Sequence, residues 1–241
     1  MLIHTLLFHS CVYPWTILVI LFGVPFSLLS PNYLHNCAII WARGCLLLSG
    51  TRVKINGPEH LPIDRSAVYI ANHQSHFDIL AMYACLPMQF RWMAKQELFA
   101  IPLFGLAMRR CGYIPIDRSN RKKSMQSMIA AARRIKDGTS VIVFPEGTRS
   151  ADGKLLPFKK GGFLIARKAQ APLVPVAISG SFALLPRGSF LVRPGQIEMT
   201  VLPPVETAGR NNREIEVLMG EIRQSLATLL EEKTDDHPPG R

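Results

Sequence analysis

Apolar residues dominate the first fifty positions. Residues 11–29, "CVYPWTILVILFGVPFSLL", run nineteen positions without a charge, close to the roughly 20 that carry a helix across a bilayer core. A second apolar stretch, "YLHNCAIIWARGCLLLSG", follows "SPN" and is broken by Arg43. The pair predicts a helical hairpin that spans or partly embeds in a membrane, with Pro14 and Pro25 kinking or interrupting its first arm and the long Arg43 stem reaching toward headgroups. The competing reading is a pair of core helices in a soluble protein. A cleaved signal peptide fits poorly, because no basic segment precedes the run and no small-residue cleavage site ends it.

After residue 50 the period changes. Short β-rich runs, "RVKING", "SAVYIAN", "QFRWMA", "GYIPID", "SVIVFPEG" and "LVPVAISG", alternate with helical stretches, "HFDILAMYACL", "ELFAIPLFGLAMRR", "KKSMQSMIAAARRIKDG" and "GGFLIARKA". This alternation predicts an α/β layered domain around a largely parallel sheet, covering residues 51–233. Residues 190–205, with "RPGQ" inside, read as an edge hairpin. Ile215, Leu218, Ile222, Leu226 and Leu229 recur at helical spacing and predict a covering helix, followed by a disordered tail over 234–241.

Composition sharpens this picture. A 48% apolar share over 241 residues supports a sizeable core and excludes a disordered chain. The formal net charge of +11 asks for an acidic partner, and no charge precedes Arg43, so that partner meets the later part of the chain. Arg43, Arg52 and Lys54 just after the apolar pair place the main domain on the cytoplasmic side of a membrane. Five cysteines without paired spacing indicate neither a zinc site nor a disulfide scaffold, in keeping with a reducing compartment. The basic residues are not interleaved with stacking aromatics, which speaks against a nucleic-acid partner.

Two polar runs follow strands directly. In "NHQSHFD", residues 72–78, Ser75 and Asp78 have the spacing of a capping box. Capping leaves His73 unexplained, since it precedes the cap and its ring can swing back onto the Asp78 carboxylate, as a general base with an orienting partner would. A metal site would need further ligands, and no other cluster offers a recognisable spacing. In "FPEGTRS", Arg149 offers a planar fork for phosphate, Gly147 lets backbone approach a ligand, and Lys159 precedes a helix start that favours anions. A local Glu146–Arg149 ion pair would explain part of the same run. Signatures for a serine nucleophile, a nucleotide phosphate loop, a dinucleotide fold and a zinc protease are all missing.

"NHQSHFD", "GYIPIDR", "FPEGTRS" and "APLVPVAISG" together resemble, in order and spacing, the four motifs of the glycerolipid acyltransferase family, and most nearly its bacterial 1-acylglycerol-3-phosphate branch. The resemblance covers roughly residues 50–185. It implies that His73 takes the proton from a lysolipid hydroxyl while Asp78 holds the ring, that the hydroxyl attacks an acyl thioester directly, and that no cofactor is needed. It further implies that Arg118, Glu146, Gly147 and Arg149, with Lys95 and Lys159 as helpers, bind the glycerol phosphate of lysophosphatidate. The donor would be acyl-CoA or acyl carrier protein, the partners membrane lipids, and the location the inner membrane with the catalytic domain facing the cytoplasm. The sequence does not identify the oxyanion donors; a backbone N–H near Gly147 is one candidate. Relatives that acylate another lysolipid, and a non-catalytic lipid-binding protein, are the competing readings.

Overall fold

The computed structural model describes residues 1–117 and 120–236. Helix α1 (Leu2–Phe26) and helix α2 (Pro31–Leu48) open the chain. The hairpin expectation is met in its pairing: Trp15 Nε1 donates to the Trp41 carbonyl (3.1 Å), Trp41 Nε1 donates to Thr16 Oγ1 (2.9 Å), and Gly44 lies flat against the Trp15 indole. Ser30 caps α2 by accepting from the Asn32 amide, with Pro31 in the first turn where its missing N–H costs nothing. Pro14 does not interrupt α1, since one lost backbone bond is outweighed by the packing of the two helices. Arg43 donates to the Ala84 carbonyl at 3.4 Å. Among the described residues α1 alone is long and apolar enough to cross a membrane, and most of its apolar side chains, such as Ile3, Leu7 and Phe22, are exposed.

Seven strands then form one sheet. They are β1 (Thr51–Asn56), β2 (Val68–Ala71), β3 (Phe90–Lys95), β4 (Ile114–Ile116), β5 (Ser140–Val143), β6 (Leu173–Ser179) and β7 (Gly195–Val201), in spatial order β1-β7-β6-β2-β5-β3-β4. All neighbours are parallel except β6 and β7, as the alternating strand and helix pattern implied. The helices are α3 (Phe77–Cys85), α4 (Phe104–Arg110), α5 (Arg121–Lys136), α6 (Gly161–Ala169), α7 (Ser181–Leu184) and α8 (Asn212–Asp236). Buried residues alternate along the strands, as sheet geometry requires. Val68 and Ile70 face the layer formed by α5, α6 and α8; Tyr69 and Ala71 face the layer formed by the first three helices.

The covering helix is as expected, with Ile215, Leu218, Ile222 and Leu226 buried, and it runs on to Asp236, into the segment expected as tail. Two expectations are corrected. Residues 190–205 form no edge hairpin: β7 lies inside the sheet, and Val192 ahead of it is held by Thr5 of α1, whose hydroxyl bonds both its N–H (3.1 Å) and its carbonyl (3.3 Å). The "ELFAIPLFGLAMRR" helix is split by Pro102 into a 3-10 turn and α4, with Leu103 in left-handed backbone at φ 58°.

Parallel order places the carboxyl ends of β2 and β5 side by side, with Ile70 paired to Val143. The "NHQSHFD" and "FPEGTRS" runs leave from these two ends, where open parallel sheets put their ligands. Helix α6 approaches closely enough that a Cβ on Gly162 would sit 3.0 Å from Val143 Cγ1 and 3.2 Å from Ile70 Cδ1. Gly162→Val is therefore expected to destabilise the fold by about 1–3 kcal/mol, as overpacking does, read as a lower melting temperature in detergent; an unchanged melt would show that α6 packs more loosely than this.

Candidate active site

His73 sits one residue beyond Asn72, whose buried side chain locks the end of β2 to β6. Its amide donates to the Ile178 carbonyl (2.8 Å) and accepts from the Ile178 amide (2.7 Å). Asp78, on the first turn of α3, is fully buried. Its Oδ2 accepts from His73 Nδ1 (2.9 Å), from the Gln74 amide (2.7 Å) and from the Ser75 amide (2.8 Å). Ser75 Oγ in turn accepts from the Phe77 amide (3.2 Å). Capping and the histidine contact are thus made by the same carboxylate, and the two readings of "NHQSHFD" coexist.

The backbone of His73 is clamped by the third run. Its N–H donates to Glu146 Oε1 (2.6 Å) and its carbonyl accepts from the Ser150 amide (2.8 Å). The imidazole stacks on Phe144 with ring centres 3.9 Å apart and planes 7° from parallel, and Phe144 stacks in turn on Trp92 at 5.4 Å. With Nδ1 bound to Asp78, Nε2 is the nitrogen left to take a proton.

His73 lines a cavity of about 630 Å³ that continues between the sheet and the first two helices. Its inner wall is apolar, including Phe8, Val12, Leu34, Trp41 and Leu80. Cations and polar groups gather near the histidine: Lys95, His76, Thr148, Arg149 and Arg187 all line it. An adjoining recess of about 320 Å³ is bounded by Lys95, Glu97, Gly147, Thr148 and Lys159.

A family model described as Acyltransferase matches residues 52–179, more than half of the chain. The chain is 33% identical over 227 residues to human 1-acyl-sn-glycerol-3-phosphate acyltransferase alpha, covering 92% of this chain and 80% of that protein. The chain belongs to the 1-acylglycerol-3-phosphate acyltransferase family. A chloroplastic member from Arabidopsis thaliana is also 33% identical over 221 residues, covering 89% of this chain, and the chain spans about three fifths of that relative's length, 60%. The crystal structure of the 1-acyl-sn-glycerophosphate acyltransferase PlsC of Thermotoga maritima superposes with a TM-score of 0.82 at 29% identity, over 97% of this chain and 95% of that one.

Against the residues expected from the family resemblance, the placement is uneven. His73, Asp78, Gly147, Arg149, Lys95 and Lys159 converge on the cavity and its recess or directly support them. Arg118 lies outside the described residues, two positions past β4. Glu146 is a brace: it is 3% exposed, Oε1 holds the His73 amide and Oε2 the Leu156 amide (2.9 Å), so both oxygens are committed to backbone donors. Gly147 adopts φ 75°, which requires glycine, and its N–H donates to the Phe144 carbonyl (3.0 Å), so that amide is not open to an oxyanion. The Glu146–Arg149 ion pair does not form, because Glu146 points its charge at the two amides. Arg187 and Thr148 were missed in the sequence; Thr148 sits inside the third run, whereas nothing local marks Arg187.

Burial pushes the Glu146 carboxyl from its ordinary 4.5 up to about 7, against the opposing pull of the Leu156 and His73 amides. A carboxyl that holds its proton more tightly when folded favours folding below about pH 4.5 and loses that contribution as pH rises through 7. Replacing it by the non-titrating Glu146→Gln should therefore improve, relative to wild type, from pH 4.5 to pH 7.5 in paired thermal melts; a difference independent of pH would contradict the raised value.

Proposed function

We propose that the protein moves a fatty acyl group from acyl-CoA or acyl carrier protein to the free hydroxyl of 1-acylglycerol-3-phosphate, giving phosphatidate. The observation that carries this reading is the His73–Asp78 pair at the mouth of an apolar cavity edged by Arg149 and Lys95. The apolar wall suits an acyl chain, and the cations suit a phosphate monoester.

In the reaction, Nε2 of His73 takes the proton as the lysolipid hydroxyl oxygen attacks the thioester carbonyl carbon. The tetrahedral intermediate collapses with cleavage of the C–S bond, and the imidazolium returns the proton to the departing thiolate, so no acyl-enzyme forms. Asp78 keeps the ring in the Nδ1–H tautomer and stabilises the cation formed on it. Arg149, Lys95 and Lys159, with Arg118 beyond β4, hold the acceptor phosphate. Glu146 and Gly147 act one step back, by shaping the loop that carries Arg149 and clamps His73. The exposed apolar surface of α1 supports attachment to the inner membrane, with the basic domain facing the cytoplasm.

Thiol release from acyl-CoA by purified, detergent-solubilised protein tests the reading. It should require lysophosphatidate, and His73→Ala should lower it by a factor of about 10² or more while the fold persists. Release that proceeds equally in His73→Ala would sink the mechanism. Release only with other lysolipids would reassign the acceptor.

A further inference from the structure

Arg187 lies just past α7, in a turn that nothing in the four sequence motifs announces. That turn is fastened to the catalytic loops at two points. Ser75 Oγ donates to the Leu185 carbonyl (2.8 Å), and Arg187 Nη1 donates to the Arg149 carbonyl (2.9 Å). Both guanidinium-bearing residues line the cavity that contains His73.

The Arg187 charge bears on Arg149. Among the described residues no carboxylate lies within ion-pair distance of either. Arg149 is half-buried, and burial together with the Arg187 charge presses its pKa down. The opposing charge it feels is Asp78, whose Oδ2 already serves three N–H donors. Juxtaposed like charges cost free energy, and an anion of matching charge offsets that cost. A single negative charge balances one guanidinium. A phosphate monoester near neutral pH carries close to two negative charges and three acceptor oxygens, enough for both.

We propose that Arg187 is a specificity-determining residue that completes, with Arg149, a two-guanidinium clamp for a phosphate monoester dianion, and so sets the preference for monoester over diester headgroups on the acceptor. This rests on the acyl transfer proposed above. Lys95 lines the same cavity and Lys159 the adjoining recess; what sets Arg187 apart from them is its bond to the Arg149 carbonyl, which holds it beside that second guanidinium-bearing residue.

The test compares two acceptors with the same acyl chain, lysophosphatidate and lysophosphatidylglycerol, in mixed micelles with acyl-CoA, for wild type, Arg187→Gln, Arg187→Lys and the distant surface variant Lys136→Gln. Affinity is read as KM, or as an inhibition constant where an acceptor is not turned over. Glutamine, two bonds shorter, brings neither the charge nor the Nη1 bond to the Arg149 carbonyl; lysine restores the charge without the guanidinium. The monoester-over-diester ratio should fall about tenfold in Arg187→Gln, chiefly through KM for lysophosphatidate, the size expected of one charge-assisted contact. It should largely recover in Arg187→Lys and stay at the wild-type value in Lys136→Gln. An unchanged ratio in Arg187→Gln overturns the clamp. An equal fall in the glutamine and lysine variants also overturns it, since the carbonyl bond and not the charge would then be what matters. A wild type inactive toward lysophosphatidate would remove the acyl-transfer reading and this one with it, whereas an active wild type with an unaltered ratio removes this one alone.

Discussion

One carboxylate oxygen organises the site. Asp78 Oδ2 accepts from the His73 ring and from two backbone amides, Gln74 and Ser75, at 2.7–2.9 Å in a place no water reaches. Burying a charge is costly unless donors replace its hydration. Here three donors converge on Oδ2, while Oδ1 is buried with no donor among the described residues, and the three fix the loop, start α3 and orient the imidazole at once. The rest of the local structure serves the same geometry: Asn72 pins the strand end to β6, Glu146 and the Ser150 amide hold the His73 backbone, and Phe144 supports the ring face.

The fold delivers this geometry through topology. Parallel strands β2 and β5 end at the same edge, so two runs separated by about seventy residues emerge together, and the cavity behind them is closed by α1 and α2. The amino-terminal helices therefore have two faces with different duties: an inner face that walls the cavity and an outer apolar face open to its surroundings. In the proposed reaction this places the acyl-binding wall and the membrane-facing surface on the same two helices, with the cations gathered at the polar end.

Much of this was legible in the sequence. Strand and helix alternation gave the sheet, since each run carried its own period, and His73, Asp78 and Arg149 announced themselves by following strand ends. What was hidden depended on contacts made at a distance. Residues 193–196, "RPGQ", carry turn signals that fit a hairpin, but Thr5, far away in the chain, claims the backbone of Val192 just ahead of them. Glu146 reads as a ligand by position and becomes a brace because two amides converge on it in the fold. Arg187 has no local mark at all; its place beside Arg149 follows from the way the turn after α7 is tied to Ser75.

The proposed chemistry depends most on the His73–Asp78 contact, and the tautomer of His73 reports it directly. Nitrogen NMR of histidine-labelled protein in detergent, assigned by loss of the signal in His73→Ala and recorded under mildly alkaline conditions, should show His73 protonated at Nδ1 and bare at Nε2, with that preference lost in Asp78→Asn. A resting His73 protonated at Nε2 would contradict it, because the nitrogen that must accept the hydroxyl proton would already carry one.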